Sequence, residues 1–387
     1  MSLEAFRSEV RAWLEENCPA SCREPVDGSP RRAPLPSDLV LWRRRMGDRG
    51  FVCPAWPTEY GGGGLGATEA RVVAEELRRI GAEPASSGFG VSMLGPVLLE
   101  HGTPAQKREH LPPIARGEIQ WCQGYSEPGA GSDLASLQTR AVRDGEDYVI
   151  NGQKIWTSGA QSADWIFCLV RTDPTAPKHE GISFLLFDLR APGVTIRPIR
   201  LISGASPFCE VFFENVRAKA RNLIGKENGG WTIAKRLLQH ERTMLASGVA
   251  VREAGPSLSA LARSYLGEVG GQIADPILRD RVAQLEMDRL CFDAARRRSA
   301  EAARSSQGPG HAVSVLKLYA SEMSKRSSEL VIAILGAQGL GWEGDAFSPF
   351  ERAAVREWLR SKSATLVGGT SEVQMNVVAK RVLALPD

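Results

Sequence analysis

Between Gln120 and Asn228 the apolar residues follow the two-residue period of strands, whereas on either side they follow the three-to-four-residue period of helices. This double switch constrains the fold more than any other feature. The stretches "DWIFCLVRT", "GISFLLFDL", "GVTIRPIR" and "FCEVFFENV" are expected strands of one compact all-β unit. "EDYVINGQKIWTS" reads as a hairpin, with Asn151-Gly152 as its tight turn. Helices are expected on both sides. "EARVVAEELRRIG" places Val72, Val73, Leu77 and Ile80 on one face, and beyond Trp231 long helices are expected near 229–265, 276–305, 311–335, 349–366 and 371–384. The order helices, strands, helices predicts an α+β multidomain chain with an N-terminal α-helical domain (1–119), a central β domain (120–228) and a C-terminal α-helical bundle (229–387). It is not the alternating order of a doubly wound nucleotide-binding sheet.

Charge narrows the function classes. With 48 basic and 45 acidic residues the net charge is +3, which gives no reason to expect nucleic acid or an anionic membrane as partner. The run Arg43-Arg44-Arg45 beside Trp42 reads as a solvated helix face. No stretch approaches the ~20 apolar residues that span a bilayer. "MSLEAFRSEVRAWLEEN" reads as an amphipathic helix carrying Leu3, Phe6, Val10, Trp13 and Leu14, not as a signal peptide. The seven cysteines are scattered, Cys18 and Cys22 lack companions for a metal site, and His101, His110, His179 and His311 do not cluster. No metal is expected, and reduced thiols suit a cytoplasmic enzyme.

Two glycine-rich stretches differ in specificity. "EYGGGGLG" (59–66) is neither a dinucleotide fingerprint nor a P-loop, and is expected to be a flexible loop. "WCQGYSEPGAGSDLASLQTRA" (121–141) carries more chemistry: Glu127-Pro128 sets a turn, Gly129 and Gly131 permit close approach, and Ser126, Ser132 and Asp133 offer polar groups. Read alone, it is either a ligand loop or a connector whose serines cap.

"YSEPGAGSD", followed about twenty residues later by "NGQKIWTS", resembles the signature pair of the acyl-CoA dehydrogenase family. "PAWPTEYGGGG", "GWTIAKRLLQHERT", "LGAQGLGW" and "GGTSEVQ" extend the resemblance, in family order, over almost the whole chain. The resemblance implies a helical domain, a central β-barrel-like domain and a helical bundle. It implies FAD between the last two, shared with a neighbouring subunit. By the same match Gln123, Tyr125, Ser126, Trp156, Thr157 and Ser158 line the flavin, and Ser132 touches the CoA part of the substrate or the cofactor. The segment with Ala333, Gly336 and Ala337 reaches FAD across a subunit interface, and Thr370, Ser371 and Glu372 form the helix start beside the pyrophosphate. Free N–H groups and the positive dipole end suit an anion there. Two departures stand out. "YLGEVGGQIADP" lacks the family's Arg-x-x-Phe-Gly contact to FAD, which leaves Arg279 or Arg281 as candidates to compensate. A Gln common in the family at position 333 is Ala333 here.

The family's reaction needs a base for the proton beside the thioester, while the flavin takes hydride from the next carbon. Many members supply that base as the Glu of a Tyr-Glu-Gly-Thr motif. The same positions here are Val367, Gly368, Gly369 and Thr370, so no side chain is present to act. Glu241 is the alternative: it falls in the apolar stripe Ala234, Leu237, Leu238, Leu245, Gly248 of its helix. A carboxylate there is either half of a buried ion pair, with Arg242 or another arginine, or a base poised by burial. The resemblance favours the base, because isovaleryl-CoA and long-chain dehydrogenases have Gly or Ala in the loop and a Glu-Arg pair on this helix. Arg242 then matches the mouth of the substrate site, and Gly368 and Gly369 hold the thioester oxygen. His240 lies about 100° away around the helix and reads as a residue behind the site or at the surface.

The expected function is FAD-dependent α,β-dehydrogenation of an acyl-CoA, with electrons passed to an electron-transfer flavoprotein. The subunits are expected as a homotetramer or dimer, with a heterotetramer as an alternative. The space left at Gly368, and the pattern "QGYSEPGAGSD…QHERT", resemble dehydrogenases of bacterial steroid or other bulky-acid catabolism. Rival readings are a non-catalytic or FAD-sharing subunit of a heterotetramer, and a flavin oxidase or monooxygenase on the same fold.

Overall fold

A computed structural model describes residues 2–25, 34–85, 88–238, 257–302 and 312–386. Contacts divide the chain into two units, 1–198 with 208–237, and 199–207 with 238–387. Glu241, Arg242, His240 and His311 lie outside the described residues.

The first unit begins with helices α1 (Leu3–Asn17), α2 (Pro36–Asp48), α3 (Ala67–Arg79), α4 (Gly95–His101) and α5 (Pro104–Ala115). Phe6, Val10 and Leu14 of α1 bury against Trp42 and Met46 of α2 and Val72 and Val73 of α3, as their spacing predicts. Leu3 stays exposed. Arg43 and Arg44 face outward, and Arg45 is half-buried and donates to Asn17 O at 2.7 Å. Helix α3 carries a charge on its buried face. Glu76 is 2 % exposed and accepts hydrogen bonds from Arg7, Arg11 and Arg79 at 2.6–3.1 Å. The 59–66 segment is not the loose loop expected. It is packed: a Cβ on Gly62 would lie 2.2 Å from Trp56 O, so only glycine allows this approach.

The strands are β1 (Trp121–Gly124), β2 (Arg140–Asp144), β3 (Asp147–Ser158), β4 (Trp165–Arg171), β5 (Ile182–Asp188), β6 (Val194–Ile199), β7 (Phe208–Lys219) and β8 (Leu223–Ile224). They form one sheet in the order β6-β7-β3-β2-β4-β5-β8, with β1 parallel to β4. No pairing joins β6 to β8 among the described residues, so the domain is an open sheet and not a closed barrel. Its core is built from inward positions such as Tyr148, Ile150, Ile166, Val170, Leu185 and Val211. The hairpin expected at Asn151-Gly152 is corrected. The β2–β3 turn lies at Gly145-Glu146, and β3 runs straight through Asn151-Gly152. Gly152 instead marks an irregularity in the pairing with β7, where Asn151 and Asn215 exchange two hydrogen bonds of 2.9 and 3.2 Å. Helix α5 is tied to this sheet by Gln106, which donates to Arg221 O and Leu223 O, and by His110, which packs between Trp121 and Trp165.

A further helix, α6, covers residues 230–238 of the described chain. In the second unit follow α7 (Leu258–Leu266), α8 (Pro276–Ala302), α9 (Ala312–Leu335), α10 (Pro349–Ser361) and α11 (Ser371–Val377). The long helix expected over 229–265 is not continuous at its end: extended Ser257 caps a new helix through the N–H of Ala260. Helix α10 gives way to a 3₁₀ turn at Lys362–Thr365, and α11 to a π turn at Val378–Val382. Between α7 and α8 a two-stranded hairpin, β9 (Glu268–Val269) and β10 (Gln272–Ile273), turns at Gly270-Gly271. It occupies the stretch that lacks the family's arginine motif. The core of the bundle joins Leu261, Val282, Leu285, Phe292, Ala320, Met323 and Ile334. The 199–207 segment packs on this unit, where Arg356 donates to Ser203 O and Trp342 O and lies 3.9 Å from the Trp342 ring centroid.

Candidate active site

In the first unit the two signature stretches meet. Ile155 N–H donates to Ser126 O at 2.9 Å, and Lys154 Nζ donates to Tyr125 O at 3.0 Å and Glu127 Oε1 at 2.8 Å. The Glu127 carboxylate also accepts from Gln138 N–H and Thr139 N–H at 2.6 and 2.9 Å. Burial works against the Glu127 charge, but Lys154 and these donors outweigh it and hold the carboxyl below its ordinary pKa. The turn at Glu127-Pro128 closes through paired backbone bonds between Glu127 and Ala130, both 3.0 Å. Glu127 is therefore more than a turn former, because its buried pair with Lys154 clamps the 125–139 loop to β3.

Just past that clamp β3 bulges. Lys154 faces Val211 of β7 but Thr157 faces Cys209, so β3 holds one extra residue. Trp156 sits in the bulge at φ 59°, a region that L-residues seldom enter, and its side chain turns outward, 53 % exposed. Thr157 is buried, and its Oγ1 has no hydrogen-bond partner among the described residues. Ser158 is half-buried and lines a cavity of about 240 Å³ with Phe89, Gln120, Trp121 and Ser162. Gln123 is half-buried on β1, Tyr125 is buried, Ser126 is half-buried, and Ser132 is exposed in the loop beyond. Asp133 beside it pairs with Lys178 at 2.9 Å. A protruding indole beside an unpartnered buried hydroxyl fits a flat, polar-edged ring such as a flavin.

In the second unit Gly368 and Gly369 have φ 66° and 92°, and Thr370 caps α11 through the N–H of Val373 at 3.3 Å. Two buried side chains hold the glycine carbonyls. Lys317, on α9, is 3 % exposed and donates to Gly369 O at 2.7 Å. Gln374, on α11, is 1 % exposed and donates to Gly368 O at 3.0 Å. Among the described residues the N–H groups of Gly368, Gly369 and Thr370 meet no acceptor. Ser371 Oγ is buried without a partner among the described residues, and Glu372 is exposed. The Glu372 carboxyl is held below its ordinary pKa by its own N–H and the Thr370 hydroxyl. Ala333 is half-buried near the end of α9. Gly336 and Ala337 are exposed in the 3₁₀ turn that follows. Arg279 donates to Ile273 O of the hairpin at 3.4 Å, and Arg281 acts on Glu329.

Three family models cover the chain: the acyl-CoA dehydrogenase N-terminal domain over residues 2–118, the middle domain over 122–216 and the C-terminal domain over 228–383. The chain belongs to the acyl-CoA dehydrogenase family. Acyl-CoA dehydrogenase IpdE1 of Mycobacterium tuberculosis is 35% identical over 99% of this chain and 98% of its own. Among solved structures, a chain of the Tcur3481–Tcur3483 steroid ACAD is 31% identical with a TM-score of 0.77, covering 99% of this chain and 97% of its own. A chain of the ChsE4–ChsE5 complex from Mycobacterium tuberculosis is 28% identical with a TM-score of 0.74, covering 100% and 98%. This acyl-CoA dehydrogenase thus carries the family's three-domain order and is an oxidoreductase acting on acyl-CoA thioesters. No helix among the described residues is long and apolar enough to cross a membrane, and no His, Cys, Asp and Glu group there could hold a metal.

Lys154, Lys317 and Gln374 escape a motif-based reading, although a signal for the two lysines exists. Lys317 lies in the buried stripe Val313, Leu316, Ala320, Met323 of α9, and Lys154, four residues after Ile150 on β3, shares its inward parity.

Proposed function

We propose that this dehydrogenase removes the α-proton of an acyl-CoA with Glu241 and forms the trans-2-enoyl thioester. FAD bound there would supply the acceptor for the β-hydride, and the expected electron partner of the protein is an electron-transfer flavoprotein. Gln123, Tyr125, Ser126, Trp156, Thr157 and Ser158 hold the flavin, with Ser132 toward the phosphate or CoA end and Ala333, Gly336, Ala337, Thr370, Ser371 and Glu372 completing its contacts. The observation that carries this reading is the Gly368-Gly369 corner. It keeps N–H groups free for a developing oxyanion and has no side chain to serve as base, so the carboxylate must come from elsewhere. Glu241, which the sequence pattern sets in an apolar stripe with Arg242 next in the chain, supplies one.

The space left at Gly368, and the similarity to a steroid ACAD, support a bulky acyl group, branched or polycyclic, as substrate. Anaerobic mixing of the holoenzyme with a panel of acyl-CoAs tests this. Polycyclic or branched thioesters should bleach the flavin fastest, and best turnover on short straight chains would remove the proposal. Two solved relatives carry paired names, Tcur3481–Tcur3483 and ChsE4–ChsE5. This supports a second reading of the assembly, in which the chain shares its flavin with a different chain. Purified alone, a self-sufficient homo-oligomer retains about one FAD per chain, whereas a flavin-sharing subunit loses it.

A further inference from the structure

We propose that Lys317 is a positioning residue that fixes and polarises the Gly368–Thr370 turn, so that its free N–H groups stabilise negative charge on the substrate thioester. The inference rests on the acyl-CoA dehydrogenase reading above and adds a residue that no motif assigns.

The geometry is specific. A turn with two successive glycines at positive φ has wide conformational freedom, and by itself it would not aim its N–H groups at one point. Two buried donors remove that freedom. Gln374 takes the Gly368 carbonyl at 3.0 Å and Lys317 the Gly369 carbonyl at 2.7 Å. Each carbonyl belongs to the same peptide group as the next N–H: Gly368 C=O with Gly369 N–H, and Gly369 C=O with Thr370 N–H. A donor on the oxygen draws electron density from the amide and makes its N–H a stronger donor. The two N–H groups so strengthened are among those that meet no acceptor. An ammonium polarises more than a neutral amide, which accounts for a lysine at a 3 % exposed position on α9.

The burial is costly. Desolvation pushes the Lys317 ammonium down from its ordinary pKa, and Glu322 and Glu372 oppose this through space. No carboxylate among the described residues bonds it; its acceptor is the Gly369 carbonyl. A lysine that served packing alone would be replaceable by methionine without loss, because buried charge is not a source of stability.

The test uses holoenzyme and acetoacetyl-CoA, whose α-carbon ionises to an enolate read by its ultraviolet absorbance. Bound to the wild type, its pKa should fall well below that of the free thioester. Lys317→Met should raise the bound pKa by about one unit, a tenfold loss of enolate stabilisation, and lower kcat at least tenfold with a smaller change in KM. Lys317→Gln, which keeps a neutral donor, should fall between. Should Lys317→Met fail to fold, Gln374→Met tests the other peptide group and should raise the bound pKa in the same direction. Variants that fold, bind FAD and leave both the ligand pKa and kcat at wild-type values overturn the proposal alone. A wild type that neither ionises acetoacetyl-CoA nor is bleached by any acyl-CoA overturns the parent reading and this one with it.

Discussion

Lys154 Nζ lies 2.8 Å from Glu127 Oε1, with the Lys154 side chain wholly buried and that of Glu127 8 % exposed. The pair joins the loop after β1 to the middle of β3, the two segments that carry the positions proposed above to line the flavin. Removing one partner leaves the other charged and buried, whereas removing both leaves neither. Lys154→Met should therefore destabilise the protein by about 3–5 kcal/mol. The double variant Glu127→Gln/Lys154→Met should recover part of that loss. Urea unfolding of the four proteins in the cycle measures it, and a single variant as stable as wild type would show that the clamp is not needed.

Acid stability should depend on Glu76. Arg11, then Arg79 and Arg7, overcome the desolvation of this carboxylate and hold its pKa at about 2, against an ordinary 4.5. A depressed carboxylate stabilises the fold at pH above its unfolded value, and that contribution fades as pH falls from about 4.5 toward 2. Glu76→Gln should lower the melting temperature at pH 7 and flatten its decline over that window. Parallel melting curves for both proteins from pH 6 to 2.5 would contradict the assignment.

Gly369 should resist substitution more than its exposure suggests. Its φ is 92°, and a Cβ would lie 2.5 Å from Gln374 Nε2. Gly369→Ala must strain the backbone by about 1–2 kcal/mol or displace Gln374. The expected result is a tenfold or greater loss of kcat/KM in a folded protein that still binds FAD. Full activity would mean that the turn tolerates re-aiming.

Trp156 separates cofactor affinity from stability. Because its side chain is 53 % exposed, Trp156→Ala should change apoprotein stability by less than about 1 kcal/mol. FAD affinity should fall about tenfold or more, with Trp156→Phe retaining most of it. Fluorescence titration of apoprotein with FAD reads this directly, and wild-type affinity in the alanine variant would remove Trp156 from the flavin contacts.

Periodicity made much of this fold legible. Strands β4, β5, β6 and β7 lie where the strand-period stretches put them, and the buried residues of α1 and α3 match their spacing. The Asn151-Gly152 reading failed because a turn-forming dipeptide also suits a bulge, and only the pairing of β3 with β7 distinguishes the two. The break before α7 was hidden because an apolar stripe can resume in phase after a cap. The two signature stretches do meet in the fold, but their motifs did not point to the groups that hold them. Lys154, Glu76 and Lys317 are charges set within apolar stripes, the same pattern that singled out Glu241. Apart from Arg79, three positions after Glu76, the partners named here lie 27, 65 or 52 positions away, distances that local sequence does not encode.

The assignment of the base is tested most directly by anaerobic stopped-flow mixing of Glu241→Gln holoenzyme with an acyl-CoA that bleaches the wild type. Glu241→Gln should retain bound FAD and bind the thioester, yet bleach several orders of magnitude more slowly, since amide replaces carboxylate at nearly constant volume. Bleaching at the wild-type rate would contradict the account and return the search for the base to another carboxylate.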